Sequence, residues 1–343
     1  MTIQSSLVRK LEGKTLHQEV SLINTHTDSK MLEKIKSKKG IEFSFAWLFS
    51  IIAGVFILFL AVYVGYKMIS TSEYQAGTAT AKEISIIFEP METGLASGKS
   101  TEATLSQETM ILNECSDFGV FGEQEIRTAL KRGRGFTSPS APIKITNKYV
   151  FSNSSFSGKK MYFFSKPFNF PYKVADIIVI TSKEYCLINT PDFIKEDIGG
   201  LNLGNIKFER NCSQNAVKVC FASGTRCDSI VYSNDGYETG YIVKASGERL
   251  YFEGNLIYAG IFSSHDIYEC NIRRLMKKAV QLALLYRDES KLLSSKCSAV
   301  SEANLASFAT QLSNVNNSAD LIRARQISKS IDDENAFSEC RLW

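Results

Sequence analysis

The sequence predicts an α+β protein: an N-terminal transmembrane helix extended into a stalk, a strand-rich extracytoplasmic domain, and a C-terminal helical subdomain. Three observations predict it. Phe43–Tyr66 is a run of 24 residues without a charge. Residues 101–262 hold short β-branched and aromatic runs separated by Gly, Ser, Asn and Pro. Residues 266–343 bring apolar residues back at helical spacing. The chain divides accordingly into a basic tail or leader (1–40), a span (41–66), a helical extension or linker (67–100), a mixed strand-rich ectodomain (101–262) and a helical C-terminal part (263–343).

The basic segment comes first. Residues 1–40 hold eight Lys/Arg and four acids, a net of +4, which equals the formal charge of the whole chain. The remaining 303 residues therefore sum to zero. Leu7, Leu11 and Val20 are too sparse for an apolar stripe, so a solvated tail is expected, with His17 and His26 as solvated side chains.

The span follows. A hydrocarbon core is about 30 Å thick, and a helix rising about 1.5 Å per residue crosses it in about 20 residues. Every backbone group in hydrocarbon must bond internally, which favours a helix. Trp47 stands towards one end and Tyr63 and Tyr66 at the other, as interfacial aromatics do. Lys34, Lys36, Lys38 and Lys39 abut the N-terminal side, so the N-terminus is expected inside and the larger domain outside. A cleaved signal peptide is the competing reading, but its apolar region is shorter and ends in a small-residue site. The sequence after this run, Lys67-Met-Ile-Ser-Thr-Ser, lacks a clear Ala-x-Ala site.

Beyond Lys67, Tyr74, Ala81, Ile84, Ile87 and Phe88 recur at helical spacing until Pro90 and Gly94. One helix is thus expected from about Phe43 to Glu89, with its outer half packed on the ectodomain. Gly77, Thr78 and Thr80 weaken that half.

Lys38-Lys39-Gly40 directly before a long apolar helix resembles the cleavage site of prepilins, the precursors of type IV pilins and the archaeal filament proteins. The resemblance implies that a membrane peptidase cuts after Gly40, making Lys39, Gly40 and Ile41 the processing site. The apolar helix would then form a filament core and carry a globular head. The resemblance covers about 50 residues. The family's glutamate usually stands fifth after the cut, whereas Glu42 is second here, and the leader would be 40 residues.

Strands are expected at Thr109–Asn113, Ile143–Phe151, Met161–Phe164, Asp176–Thr181, Tyr185–Ile188, Ile206–Glu209, Val217–Phe221, Ile230–Tyr232, Tyr241–Lys244 and Leu250–Phe252. Asn234-Asp-Gly236 marks a turn. Two helices interrupt them: Glu123–Lys131, and Asp192–Ile198 with Thr190 as N-cap, Pro191 at the first position and Gly199 as stop. Towards the C-terminus, Asp266 and Glu269 have capping-box spacing before the stripe Ile272, Leu275, Met276, Ala279, Leu282, Ala283, Tyr286. Arg273, Arg274, Lys277 and Lys278 take the opposite face. Further helices are expected at Ser301–Ser313 and Ala319–Ser330, with the tail Phe337–Trp343 docked through Cys340, Leu342 and Trp343.

All eight cysteines lie beyond the span: Cys115, Cys186, Cys212, Cys220, Cys227, Cys270, Cys297 and Cys340. An even number placed this way fits an oxidising compartment and up to four disulfides, with connectivity open among 105 pairings. Short loops favour pairing among Cys212, Cys220 and Cys227, and Cys297 with Cys340 would tie two C-terminal helices. There is no Cys-x-x-Cys for a redox or zinc site. Three Asn-x-Ser/Thr sequons, at Asn153, Asn211 and Asn316, also lie beyond the span.

Candidate chemistry is thin. Gly94 and Gly98-Lys99-Ser100 look like a P-loop but leave one residue too few between the glycines. His265 is the one histidine beyond the span, with Ser263, Ser264 and Asp266 beside it. A triad is defined by geometry and not by adjacency. The basic face on the long C-terminal helix, with Lys131, Arg132 and Arg134, suits an anionic surface, yet a neutral domain argues against nucleic acid. The expectation is a single-pass surface protein with a structural or binding role, no cofactor and no catalysis. Its partners are the lipid bilayer and, through the apolar helix, other copies or other surface proteins. The alternatives are an anchored receptor signalling through residues 1–40, or a hydrolase built on His265.

Overall fold

A computed structural model describes residues 45–92, 100–209, 212–233 and 235–343. They belong to two compact units, Met1–Ala61 and Val62–Trp343. The protein is α+β, with one long apolar helix at the N-terminal side, thirteen strands in two sheets, and helices gathered towards the C-terminus among the described residues.

Helix α1 covers Phe45–Glu92, 48 residues. It passes through Pro90, three residues beyond the expected stop at Glu89. Proline in the last turn removes one backbone bond but leaves φ helical.

The first sheet has the order β3-β2-β1-β6-β7-β5, with β4 also paired to β2. Its strands are β1 Ser100–Ser116, β2 Glu123–Arg132, β3 Gly135–Phe136, β4 Ile143–Ile145, β5 Tyr149–Phe151, β6 Ser155–Asn169 and β7 Lys173–Thr181. Pairing is antiparallel except between β5 and β7. Both faces of β7 are buried, which is why its sequence reads as a nearly continuous apolar run. Ile177 and Val179 of β7 face the main core, while Ile178 and Ile180 face a second cluster. Likewise Tyr149 and Phe151 of β5 face the main core and Val150 the second.

Glu123–Lys131, expected as a helix, is strand β2. Its helix-forming residues sit between β1 and β4, and burial alternates: Gln124, Ile126 and Thr128 are buried while Glu123, Glu125 and Arg127 are half-exposed. Pairing on both sides overrides propensity. The single expected strand Ile143–Phe151 is two, broken at Asn147 with φ 57°, and its halves pair with different neighbours.

The second sheet has the order β13-β12-β11-β10-β8-β9. Its strands are β8 Tyr185–Ile188, β9 Ile206–Phe208, β10 Val217–Phe221, β11 Ser229–Tyr232, β12 Thr239–Lys244 and β13 Arg249–Glu253. The four strands β9, β8, β10 and β11 run parallel, and β12 and β13 close the sheet antiparallel. In the β11–β12 turn Asn234 lies outside the described residues. Asp235 accepts from the Thr239 amide at 2.9 Å, and Gly236 has φ +71°.

Helix α2, Asp192–Gly199, follows the expectation in position but not in capping. Pro191 is the N-cap, no side chain caps the helix, and the buried Thr190 hydroxyl finds no partner among the described residues. Helix α3, Leu256–Phe262, is not foreshadowed by periodicity because all seven residues are buried and no polar face exists. Helix α4, His265–Leu293, buries the expected stripe through Ile272, Leu275, Met276, Ala279 and Ala283, with Leu282 and Tyr286 partly covered. Ser264 is its N-cap, and Asp266 and Glu269 do not form the capping box. Helices α5, Glu302–Ser313, and α6, Leu321–Phe337, complete the chain, with a 3₁₀ turn at Ser318–Asp320 before α6. The tail docks. Asn335 holds the backbone of Leu342 and Trp343, and the indole of Trp343 packs against Tyr172 and Tyr286.

The strands and the C-terminal helices share one core. Aromatic side chains from β6, the β6–β7 turn, α3 and α5 meet there, for example Phe164 on Phe262 at 5.3 Å and Phe170 on Phe308 at 6.0 Å.

Candidate functional site

Among the described residues, one helix is long and apolar enough to cross a membrane, over Phe45–Ile84. Its large side chains are bare: Phe49 is 63 % exposed, Phe56 60 % and Phe59 64 %. Burying one such side chain is worth about 1.5–3 kcal/mol, so leaving this many in water is strongly unfavourable. An apolar surface of this extent marks a membrane or partner contact.

Further along, α1 acquires a single buried edge. Gly77, Ala81 and Ile84 are buried, at spacings of four and three residues, while Tyr74, expected on that stripe, is exposed. Gly77 is the closest approach and not a weak point. A Cβ there would meet Ser140 Cβ at 3.2 Å, and the Thr128 hydroxyl of β2 donates to the Gly77 carbonyl at 2.7 Å. Ser140 Oγ accepts from the Thr128 amide at 3.0 Å, so strand, loop and helix meet at one point. Thr78 and Thr80 turn their hydroxyls back to Tyr74 O and Ala76 O, which keeps them satisfied within the helix. Glu73 pairs with Arg132 at 2.5 Å. Ile84 joins Ile111, Ile126, Met161, Phe163 and Ile180 in the second cluster.

All eight cysteines are paired. Cys220–Cys227 is the short-loop pair expected, closing the connection between parallel strands β10 and β11. Gly224 lies against both sulfurs, where any Cβ would overlap them. Cys297–Cys340 is also as expected and ties the end of α4 to the chain after α6. Cys212 pairs outside the local group, with Cys186 on β8. Cys115–Cys270 joins the end of β1 to α4 over 155 residues. Bonds of this kind persist in oxidising compartments.

Arg274, expected on a solvated face, is fully buried. Its guanidinium donates to Gln124 Oε1 at 3.0 Å, Asn271 Oδ1 at 2.7 Å and Phe121 O at 3.3 Å, and lies 4.9 Å from the Tyr149 ring centre. Gln124 in turn binds Asn113 and Val150, and Asn271 binds Val150. No carboxylate pairs with Arg274 among the described residues, and burial pushes its pKa down. Gly122, φ +62°, lies over the arginine stem, and a side chain there would strike Arg274 Cγ. Asn271 and Arg274, one helical turn apart between apolar residues, were the available sequence signal for this network. Neighbouring Arg273 pairs with Asp117 at 2.6 Å, and Lys277 bonds the Asp117 and Gly119 carbonyls, so the expected basic face is divided. Lys131 likewise pairs with Glu108.

His265 lines an open cleft of about 270 Å³ with Arg249, Tyr251, Glu269, Arg273 and the 3₁₀ turn. The cleft holds a histidine, a carboxylate and a hydroxyl, but not as a triad. Ser318 Oγ donates to Glu269 Oε1 at 2.6 Å and accepts from the Tyr251 amide at 3.0 Å, while His265 Nδ1 stands 3.5 Å from Asp266. The serine joins the carboxylate directly and binds the edge strand. No group of three or more metal-ligating side chains occurs among the described residues. Lys39, Gly40 and Ile41 lie outside the described residues, as do Gly94, Gly98 and Lys99.

No family model matches the chain, and no curated protein or solved structure matches it.

Proposed function

We propose that this is a single-pass membrane-anchored protein with a cytoplasmic N-terminus and a disulfide-braced domain outside the cell membrane. Its role is structural or binding, and its sharper form is a type IV pilin-like filament subunit. The observation that carries the reading is the change of character along α1, from an apolar surface bare on all sides to a polar helix with one buried edge. The four disulfides support an oxidising location for the domain. The basic cluster before the span supports the orientation. In this reading the lipid bilayer is the first partner, and the bare helix is the surface through which copies or other surface proteins associate. The reading includes no catalysis, no cofactor and no nucleic acid. A receptor passing signals through residues 1–40 has no observation of its own here. A hydrolase on His265 is disfavoured because Ser318 is committed to Glu269 and the strand edge.

The test is the N-terminal residue of the mature protein extracted from its native membrane. Ile41 at the N-terminus means that a prepilin-type peptidase has acted, and the filament role follows. Met1 or Thr2 refutes processing and leaves a signal-anchor surface protein. Protease accessibility of the large domain in intact cells tests the orientation. Protection there overturns it.

A further inference from the structure

We propose that the cleft beside β13 is a saccharide-binding site that takes a neutral pyranose ring. Tyr232, Tyr241 and Tyr251 are direct register partners across β11, β12 and β13. Their rings form a row, with centres 5.2 Å and 5.7 Å apart, and the Arg249 guanidinium sits 5.4 Å from the Tyr241 ring centre. All three rings are half-buried on the face opposite Val231, Ile242, Leu250 and Phe252, which fill the core. Strand β13 is the edge of its sheet, so Tyr251 ends the row, and it lines the cleft. A flat ring entering there would continue the row by one member.

A pyranose has an apolar C–H face and a rim of hydroxyls that both donate and accept. It therefore needs an aromatic surface flanked by a few fixed polar groups of both kinds. The cleft has them. Arg249 offers donors and makes no ion pair among the described residues. The Glu269 carboxylate, fixed by the Ser318 amide and hydroxyl at 2.7 and 2.6 Å, keeps further acceptor positions. Asn317 is fixed through Oδ1, which accepts from the Ala319 amide at 2.9 Å, leaving its NH2 group as donor. Charge does not favour an acidic sugar. The cations Arg249, Arg273, Lys277 and Lys244 are matched by four carboxylates: Asp117 beside Arg273 and Lys277, Glu248 and Asp266 beside His265, and Glu269. Without a net positive field an acidic sugar gains nothing over a neutral one. The site stands on residues unconnected with the apolar helix and does not depend on which side of a membrane the domain occupies.

The experiment is saturation-transfer NMR on the full chain in lipid nanodiscs. The probes are the methyl glycosides of glucose, galactose, mannose and N-acetylglucosamine, with methyl glucuronide as the acidic comparison. Transfer to ring C–H protons of at least one neutral glycoside is expected. It should persist in Tyr251→Phe, which keeps the ring, and fall roughly tenfold in Tyr251→Ala, the scale of one lost stacking contact. If Tyr251→Ala does not fold by circular dichroism, Arg249→Ala at the exposed strand start becomes the deciding variant, with a severalfold fall expected. The proposal is overturned by absence of transfer from every neutral probe, by undiminished transfer in the folded deciding variant, or by a stronger signal from the glucuronide.

Discussion

Two single residues control measurable properties. Glu253 on β13 is four-fifths buried and lies 3.2 Å from Arg325, which also binds Asp235 and Glu238. Burial pushes its carboxyl up to about 7, against the pull of Arg325 and with the neighbouring acids adding to the rise. A folded pKa above the unfolded value means that this contribution is fully present below about pH 4.5 and is lost as pH rises through 7. Urea unfolding between pH 5 and 8 should show stability falling by up to about 3 kcal/mol from this group. Glu253→Gln should flatten that slope, and an unchanged slope would show that Arg325 neutralises the carboxylate completely. Arg274 is the opposite case, a buried cation held by amides and a tyrosine face. Arg274→Leu leaves Asn271 Oδ1 without its donor, while Gln124 Oε1 keeps the Val150 amide at 3.0 Å, and a loss of about 1–3 kcal/mol in the unfolding free energy is expected. Of the two environments the sequence carried one trace, the polar pair Asn271 and Arg274 a helical turn apart between apolar residues. Charged residues on an amphipathic helix or on alternate strand positions ordinarily face water, and only the convergence of Gln124, Asn271 and Tyr149, distant in sequence, makes a buried arginine tolerable.

At the scale of elements, legibility depended on whether one face of a segment meets water. The stripe of α4 and the strand β13 carried their period openly, while β8, β10 and β12 were legible as short β-branched and aromatic runs. Strand β2 did not, because Glu, Gln, Arg, Ala and Lys are helix formers and its pairing on both sides cannot be read locally. Helix α3, buried all round, has no period to read. The pairs Cys220–Cys227 and Cys297–Cys340 were legible, while Cys186–Cys212 and Cys115–Cys270 needed the fold. These crosslinks predict a ranking. Chain-entropy estimates give about 5 kcal/mol for the 155-residue loop of Cys115–Cys270 and about 2 kcal/mol for the 7-residue loop of Cys220–Cys227. Paired Cys→Ser variants compared in urea should fall in that order. The seam of α1 on β2 gives another. Gly77→Leu must displace Ser140 or lift the helix from Thr128, and a cost of about 1–3 kcal/mol is expected. Hydrogen exchange should rise at Thr128 and Ser140 in that variant, and unchanged exchange would mean that the seam is not a fixed contact.

For the whole molecule, the first sheet is completed from both ends of the chain. Its second cluster needs Ile84 from α1, and its core face needs α4. The order in which the chain is made therefore matters. Strand β1 is synthesised early, yet the thiol of Cys115 meets its partner only after another 155 residues, about 10–30 s at ordinary translation rates. Cys186 emerges in that interval before its own partner Cys212. For this time the two thiols are each other's available partners, and a transient Cys115–Cys186 isomer is the expected wrong product. Pulse-labelled chains trapped with a thiol-blocking reagent should contain that species early and lose it later, and Cys270→Ser should make it persist. A host that secretes the domain would then need an enzyme that reshuffles disulfides, and not only one that forms them.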